Sequence, residues 1–198
     1  MQKGISFSSW WSGEYSTLGS DISLERLADT GADWIALIVT GYQDTYYSTT
    51  INYNDVSVAT DADLAHAINK AHSLGLKVML KPHVDVRGES QTGYWRGDIG
   101  RGFDTEAKWA AWFSSYRQFI EHYAALAQAN GVEQFSIGCE LMNTTHRESD
   151  WRAVAAGVRS KFSGPITYAA LMYGMLENVT WWDAVDYIGN DAYYPLTW

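Results

Sequence analysis

The sequence predicts an α/β fold, a TIM (β/α)8 barrel of which about six βα units are present. Short apolar, β-rich runs alternate with helical patterns along the 198 residues. The connections between successive strands are long enough for parallel pairing. Strands one, two, three, four and six close on polar or aromatic side chains, and a barrel of this kind builds its site from several strand ends. A doubly wound open sheet predicts the same alternation. However, Ser8-Ser9-Trp10-Trp11 follows strand one, where such a sheet carries a glycine-rich phosphate loop.

Each element has its own signal. Residues 3–10 read as strand one. Residues 20–30 read as a helix with Ile22, Leu24, Leu27 and Ala28 on one stripe and a stop at Gly31. Residues 34–40 are nearly all apolar, as a buried parallel strand should be. Residues 61–74 form a helix with an acidic start, an apolar stripe (Leu64, Ala67, Ile68, Ala71) and a stop at Gly75. Residues 76–83 are strand three, followed by a long polar loop over 85–104. A long helix over 105–130 ends at Asn130-Gly131. Residues 134–140 are strand four, 149–162 a helix and 166–171 strand five. A short helix over 177–184 precedes strand six, residues 186–193.

The length suits a single domain over residues 1–198. A closed barrel needs eight strands and ~250 residues. Six strands would leave the first and last as open edges. The count therefore predicts the N-terminal three quarters of a longer chain.

Composition narrows the function. The chain is 46% hydrophobic and 19% charged, which is globular rather than disordered. A net charge of −9 disfavours nucleic acid and anionic polymers as partners. No apolar run reaches the ~18 residues of a membrane span, so no membrane partner is expected. The start, Met1-Gln2-Lys3-Gly4, lacks a signal-peptide core; secreted and cytoplasmic locations both stay open, as does the oligomeric state. Cys139 is the single cysteine, so an internal disulfide is ruled out. Ten Trp and thirteen Tyr dominate an aromatic content of 15%. Many fall near strand ends or in loops: Trp10, Trp11, Tyr42, Tyr46, Tyr47, Tyr94, Trp95, Tyr193, Tyr194 and Trp198. Aromatic faces pack against the C–H faces of pyranose rings, which fits a neutral polysaccharide or oligosaccharide partner.

Three segments carry candidate chemistry. In Gly138-Cys139-Glu140-Leu141 a carboxylate stands at a strand end, before a polar loop. A glutamic acid in a partly desolvated cleft has a raised pKa and can protonate a glycosidic oxygen. A retaining glycosidase needs a second carboxylate ~5–5.5 Å away, and an inverting one needs it farther off. Asp85 and Asp191 are the candidates within this chain. In Lys81-Pro82-His83-Val84-Asp85, alternation places Lys81, His83 and Asp85 on one face. They suit sugar hydroxyls or a buried hydrogen-bonded network. His83 and Asp85 are also possible metal ligands, but no second histidine cluster accompanies them, so a metal site is disfavoured. In residues 186–195, Asp191 and Tyr193 share a face with Gly189. Cys139 as a nucleophile is disfavoured, because a neighbouring carboxylate raises a thiol pKa.

Together these residues resemble retaining glycoside hydrolases of the large (β/α)8 clan, and most closely glycoside hydrolase family 113. The matching segments are Lys3-Gly4-Ile5-Ser6-Phe7 with Trp10-Trp11, Lys81-Pro82-His83-Val84-Asp85, Gly138-Cys139-Glu140, and residues 189–195. The wider clan has asparagine before the strand-four acid; Cys139 is the variation associated with family 113. The resemblance implies a catalytic domain for β-1,4-mannan hydrolysis with Glu140 as acid/base and with no metal or organic cofactor. It implies that Trp10 lines the cleft, that strand-three polar residues meet sugar hydroxyls, and that Tyr193 lies near the nucleophile. Trp11, Trp95, Cys139 and Asp191 complete the expected substrate-binding set. The family's nucleophile, a glutamate ending strand seven, has no counterpart in these 198 residues. The rival expectations are a clan glycanase for cellulose, xylan or galactan, a non-catalytic carbohydrate-binding barrel, and a metal-dependent hydrolase.

Overall fold

A computed structural model describes residues 2–171 and 175–193 of the chain. Six strands form one parallel sheet in sequential order: β1 (Gly4–Phe7), β2 (Trp34–Gln43), β3 (Lys77–Val86), β4 (Gln134–Cys139), β5 (Ile166–Leu171) and β6 (Tyr187–Asp191). Helices α1 (Leu18–Asp29), α2 (Asp61–Ser73), α4 (Glu106–Ala129), α5 (Glu148–Arg159) and the short α6 (Met175–Asn178) lie in the crossovers. Every strand pair is parallel and no strand is displaced from chain order. This is six strands' worth of a TIM barrel.

Three helices start where a threonine hydroxyl satisfies a free backbone N–H. Thr17 accepts from Ser20, Thr60 from Asp63 and Thr105 from Lys108. Thr17 therefore starts α1 at Leu18, two residues before the expected start. Asp63 completes a reciprocal box with Thr60.

Several boundaries differ from the sequence reading for visible reasons. β1 stops at Phe7 rather than at residue 10, because the Ser9 hydroxyl turns the chain by bonding Glu14 Oε2 at 2.7 Å. β2 and β3 run to Gln43 and Val86, past the expected ends, and stay in register throughout. The extra length of β3 puts Asp85 on the same strand as His83. The loop after β3 is not featureless: it holds α3 (Glu89–Thr92) and a 3-10 turn, Arg96–Asp98. The expected helix over 177–184 splits into α6 and a 3-10 turn, Trp182–Ala184. β6 ends at Asp191, so Tyr193 lies beyond it. Tyr194 and Trp198 lie outside the described residues.

The core fills the space between sheet and helices. Ile35, Leu37, Val39, Val78, Leu80, Phe135 and Ile137 present one strand face to Leu24, Leu64, Ile68, Phe119 and Tyr123 from the helices, all essentially buried. Burial on this scale supplies the main driving force for folding. Much of the aromatic content goes here rather than into a cleft. Trp112 stacks on Tyr116, Tyr116 meets Trp151 edge-on, and Trp151 stacks on Trp181 with ring centroids 5.0 Å apart. At the open ends of the sheet, Ile5 on β1 and Tyr187 and Ile188 on β6 are exposed.

Candidate active site

The strand-four segment is gripped by the polar tips of the aromatic core. Tyr116 donates to the Ile137 carbonyl at 2.7 Å, and the Leu141 N–H donates to the Tyr168 hydroxyl at 3.1 Å. The indole N–H of Trp151 donates to the Thr144 carbonyl, and that of Trp181 to Thr145. Gly138 has no room for a side chain, since a Cβ would sit 2.8 Å from the Tyr168 ring and 3.0 Å from Tyr116. Within this grip Glu140 takes φ of 55°, and it is the sole non-glycine with positive φ among the described residues. The left-handed region costs roughly 1–2 kcal/mol for such a residue. Its N–H bonds the Ala169 carbonyl at 2.9 Å and its carbonyl accepts from Met142 at 2.9 Å. Strain sustained this way by its surroundings tends to occur at functional sites.

Six of the residues selected from the sequence converge here. Lys81, His83 and Asp85 share the inner face of β3, as alternation predicts. Lys81 Nζ holds both oxygens of Asp191, at 2.9 and 3.0 Å. The Cys139 thiol donates to the same carboxylate at 3.3 Å. Glu140 is only 8% exposed. Cys139, Glu140 and Asp191 place their sulfur and carboxylate oxygens within 4.8 Å of one another.

Arg96 was not selected from the sequence, yet it lies at the centre of this cluster. Its Nε donates to Asp85 Oδ1 at 2.7 Å. Its Nη1 meets His83 Nδ1 at 2.8 Å and Cys139 Sγ at 3.4 Å, and stands 3.7 Å from Glu140 Oε2. One signal in the sequence points to it. Asp85, Glu140 and Asp191 are three acids against a single inward cation, Lys81. A second cation is expected, but Arg87, Arg96 and Arg101 all follow strand three. Arg87 instead pairs with Asp55 and Arg101 with Asp98, both away from the cluster.

The electrostatics follow from this packing. Burial pushes the Glu140 carboxyl above its ordinary value; Arg96 and Lys81 oppose the shift, while Asp191 and Asp85 add to it. Burial also pushes the Cys139 thiol up to about 12, which leaves it protonated and a poor nucleophile. His83 is driven well below its ordinary value by burial and by Arg96 and Lys81, so it is neutral. Lys81 is held above its ordinary value: burial works against its charge, but the Asp191 carboxylate that it bonds, with Glu140 nearby, outweighs it.

Both groups that the sequence offers as metal ligands, His83 Nδ1 and Asp85 Oδ1, are already engaged by the Arg96 guanidinium. The Cys139, Glu140 and Asp191 group carries a protonated thiol and an ammonium on its aspartate, which is unsuitable chemistry for a cation site.

The remaining expected residues are not drawn into the cluster by contact. Trp10 and Trp11 are 53% and 61% exposed on the loop after β1. That loop is fixed: the Asp63 carboxylate accepts from the Gly13 N–H at 2.8 Å and the Ser16 hydroxyl at 2.6 Å. Tyr193 is 77% exposed and makes no hydrogen bond to the cluster among the described residues. The Trp95 ring packs over Gly97, where a Cβ would come within 2.4 Å of it. Trp95 thus shapes the turn that carries Arg96.

The sequence model of Glycoside Hydrolase Family 113 matches residues 6–198. The chain belongs to this family. Among solved structures, it is 35% identical to a GH113 β-1,4-mannanase determined as a complex, with a TM-score of 0.90 over 98% of this chain and 64% of that one. The GH113 β-mannanase AaManA from Alicyclobacillus acidocaldarius, in complex with ManMIm, is 36% identical with a TM-score of 0.87, covering 98% of this chain and 61% of that one. The family 113 chain therefore spans less than two thirds of the length of these relatives. A β-1,4-D-mannanase from Cryptopygus antarcticus shares the fold alone, at 7% identity and a TM-score of 0.56. No curated protein matches.

Proposed function

We propose that this family 113 chain carries the acid/base half of a retaining endo-β-1,4-mannanase. Glu140 protonates the leaving glycosidic oxygen, and later, as the carboxylate, it takes a proton from the attacking water. The observation that supports this most is the enclosure of Glu140: a strained, 8%-exposed carboxyl at a strand end, its pKa raised by burial, with sugar-binding chemistry around it. A general acid must hold its proton near working pH, and burial keeps it there. The nucleophile implied by the family is a glutamate ending strand seven. Asp191 is a poor substitute because Lys81 engages both of its oxygens, and Asp85 is paired with Arg96.

Around that acid, Lys81, His83, Asp85, Cys139 and Asp191 form a rim for sugar hydroxyls. The exposed faces of Trp10 and Trp11 are suited to stack on pyranose rings, with Trp95 and Tyr193 as further contacts. The partner is a neutral polysaccharide or oligosaccharide.

Glu140→Gln in the full-length protein tests the reading. Turnover of mannan should fall by roughly 10²–10⁴-fold, while mannan binding largely survives. Unchanged turnover removes Glu140 from the role. Hydrolysis assays on mannan, cellulose, xylan and galactan assign the sugar; binding without hydrolysis of any of them would make the protein a carbohydrate-binding barrel.

A further inference from the structure

The Arg96 turn is built and held in place. The Asn143 amide, from the loop after Glu140, donates to the Gly97 carbonyl at 2.5 Å. Asp98 closes the turn by accepting from the Trp95 N–H at 3.2 Å and from Arg101 at 2.8 Å. The loops after β3 and β4 are therefore tied together at the arginine. The side chains of Arg96, Asp85 and Glu140 are 18%, 14% and 10% exposed.

We propose that Arg96 is a positioning residue for the acid, on the reading of Glu140 given above. A single guanidinium sets the Glu140 carboxyl against strand β3 and fixes His83 as its Nε2–H tautomer. The tautomer follows from donor counting. A guanidinium has only donors, so the His83 Nδ1 at 2.8 Å must accept, and the ring proton sits on Nε2. His83 Nε2 is buried with no hydrogen-bond partner among the described residues, so its N–H is an unspent donor inside the cluster. Nη1 stands 3.7 Å from Glu140 Oε2, beyond hydrogen-bonding distance, so it acts on the acid by charge rather than through a hydrogen bond. Lys81 serves the same cluster differently: it is committed to Asp191.

Arg96→Met and Arg96→Lys in the full-length protein test this. The groups acting on Glu140 are Arg96, Asp191, Lys81 and Asp85, with Cys139 from β4 and Tyr168 from β5 against it and His83 sharing the same Arg96 nitrogen. Arg96→Met removes a cation that favours ionised Glu140. The basic limb of the kcat profile, which reports loss of the acid's proton, should move to higher pH. Turnover should drop on the order of 10²-fold through misplacement, with KM changing much less. Arg96→Lys keeps the charge but lacks the second nitrogen, so it should return the limb and not the tautomer. Nitrogen-15 spectra of His83 read the tautomer without turnover: protonated Nε2 in the wild type, and a mixed or Nδ1–H form in both variants. Should Arg96→Met fail to fold, the lysine variant decides by the His83 spectrum. An unmoved limb in the methionine variant, or an unchanged His83 tautomer in either variant, overturns the proposal. The outcomes separate from those of the functional reading, since an active Glu140→Gln enzyme would defeat that reading while leaving the His83 spectrum to judge Arg96.

Discussion

At the scale of the residue, Glu140 trades stability for chemistry. Its backbone sits in the left-handed region and its carboxyl is enclosed among other acids. A carboxyl whose folded pKa lies above its unfolded value stabilises the fold while protonated and loses that contribution as pH rises through the folded value. At neutral pH the ionised form is therefore a liability. We expect Glu140→Gln to melt at higher temperature than the wild type at pH 7, with the gap closing as pH falls below the ordinary glutamate value of 4.5. Thermal melts of both proteins across that range check this; a variant that is less stable at pH 7 would contradict it. Cys139 beside it is inert for the complementary reason, as the same enclosure keeps its thiol protonated.

At the scale of the element, Asp63 joins two pieces of the site wall. It caps α2 through the Thr60 N–H and hydroxyl, and it fixes the loop bearing Trp10 and Trp11 through Gly13 and Ser16. Burial works against its charge, but these four donors outweigh it and bring its pKa down to about 2, from 3.8. The depressed value means the stabilisation is fully present above 3.8 and disappears as pH falls through about 2. By linkage it is on the order of 2 kcal/mol. Asp63→Asn should lose about that much at pH 7, since its amide turns donors toward donors. The variant should also show a flatter stability profile between pH 4 and 2. Urea unfolding at several pH values measures both. Element boundaries illustrate how far local signals reach. The start of α2 at Asp61 was legible from its acidic first turn, a local signal, whereas the ends of β2 and β3 were not. β2 ends in Thr40-Gly41-Tyr42-Gln43 and β3 in Val84-Asp85-Val86, mixed runs that pairing in register with each other keeps extended.

At the scale of the whole molecule, the proposed function assigns this sheet the acid half of a retaining site. Six strands in order place one acid at the mouth, with two aspartates already engaged by cations. We expect residues 1–198, purified alone, to show no mannanase activity in a reducing-sugar assay. Appreciable activity would shift the nucleophile's role to Asp85 or Asp191. The aromatic richness divides at this scale as well. Trp112, Trp151, Trp181, Tyr116 and Tyr168 form the core that grips the acid's segment, whereas Trp10, Trp11, Tyr47 and Tyr94 face outward. Composition alone could not make that division, because both roles call for the same side chains.

By itself the sequence determined the alternation of strands and helices, the inward face shared by Lys81, His83 and Asp85, and the strand-end position of Glu140. All of these follow from periodicity and short-range chemistry. The tertiary structure alone decided the charge pairing, Arg96 to Asp85 and Lys81 to Asp191, across separations of 11 and 110 residues. It alone also decided the strained backbone of Glu140. Neither has a local signature: a loop arginine reads like any other until folding removes water from around it and leaves it a few nearby partners.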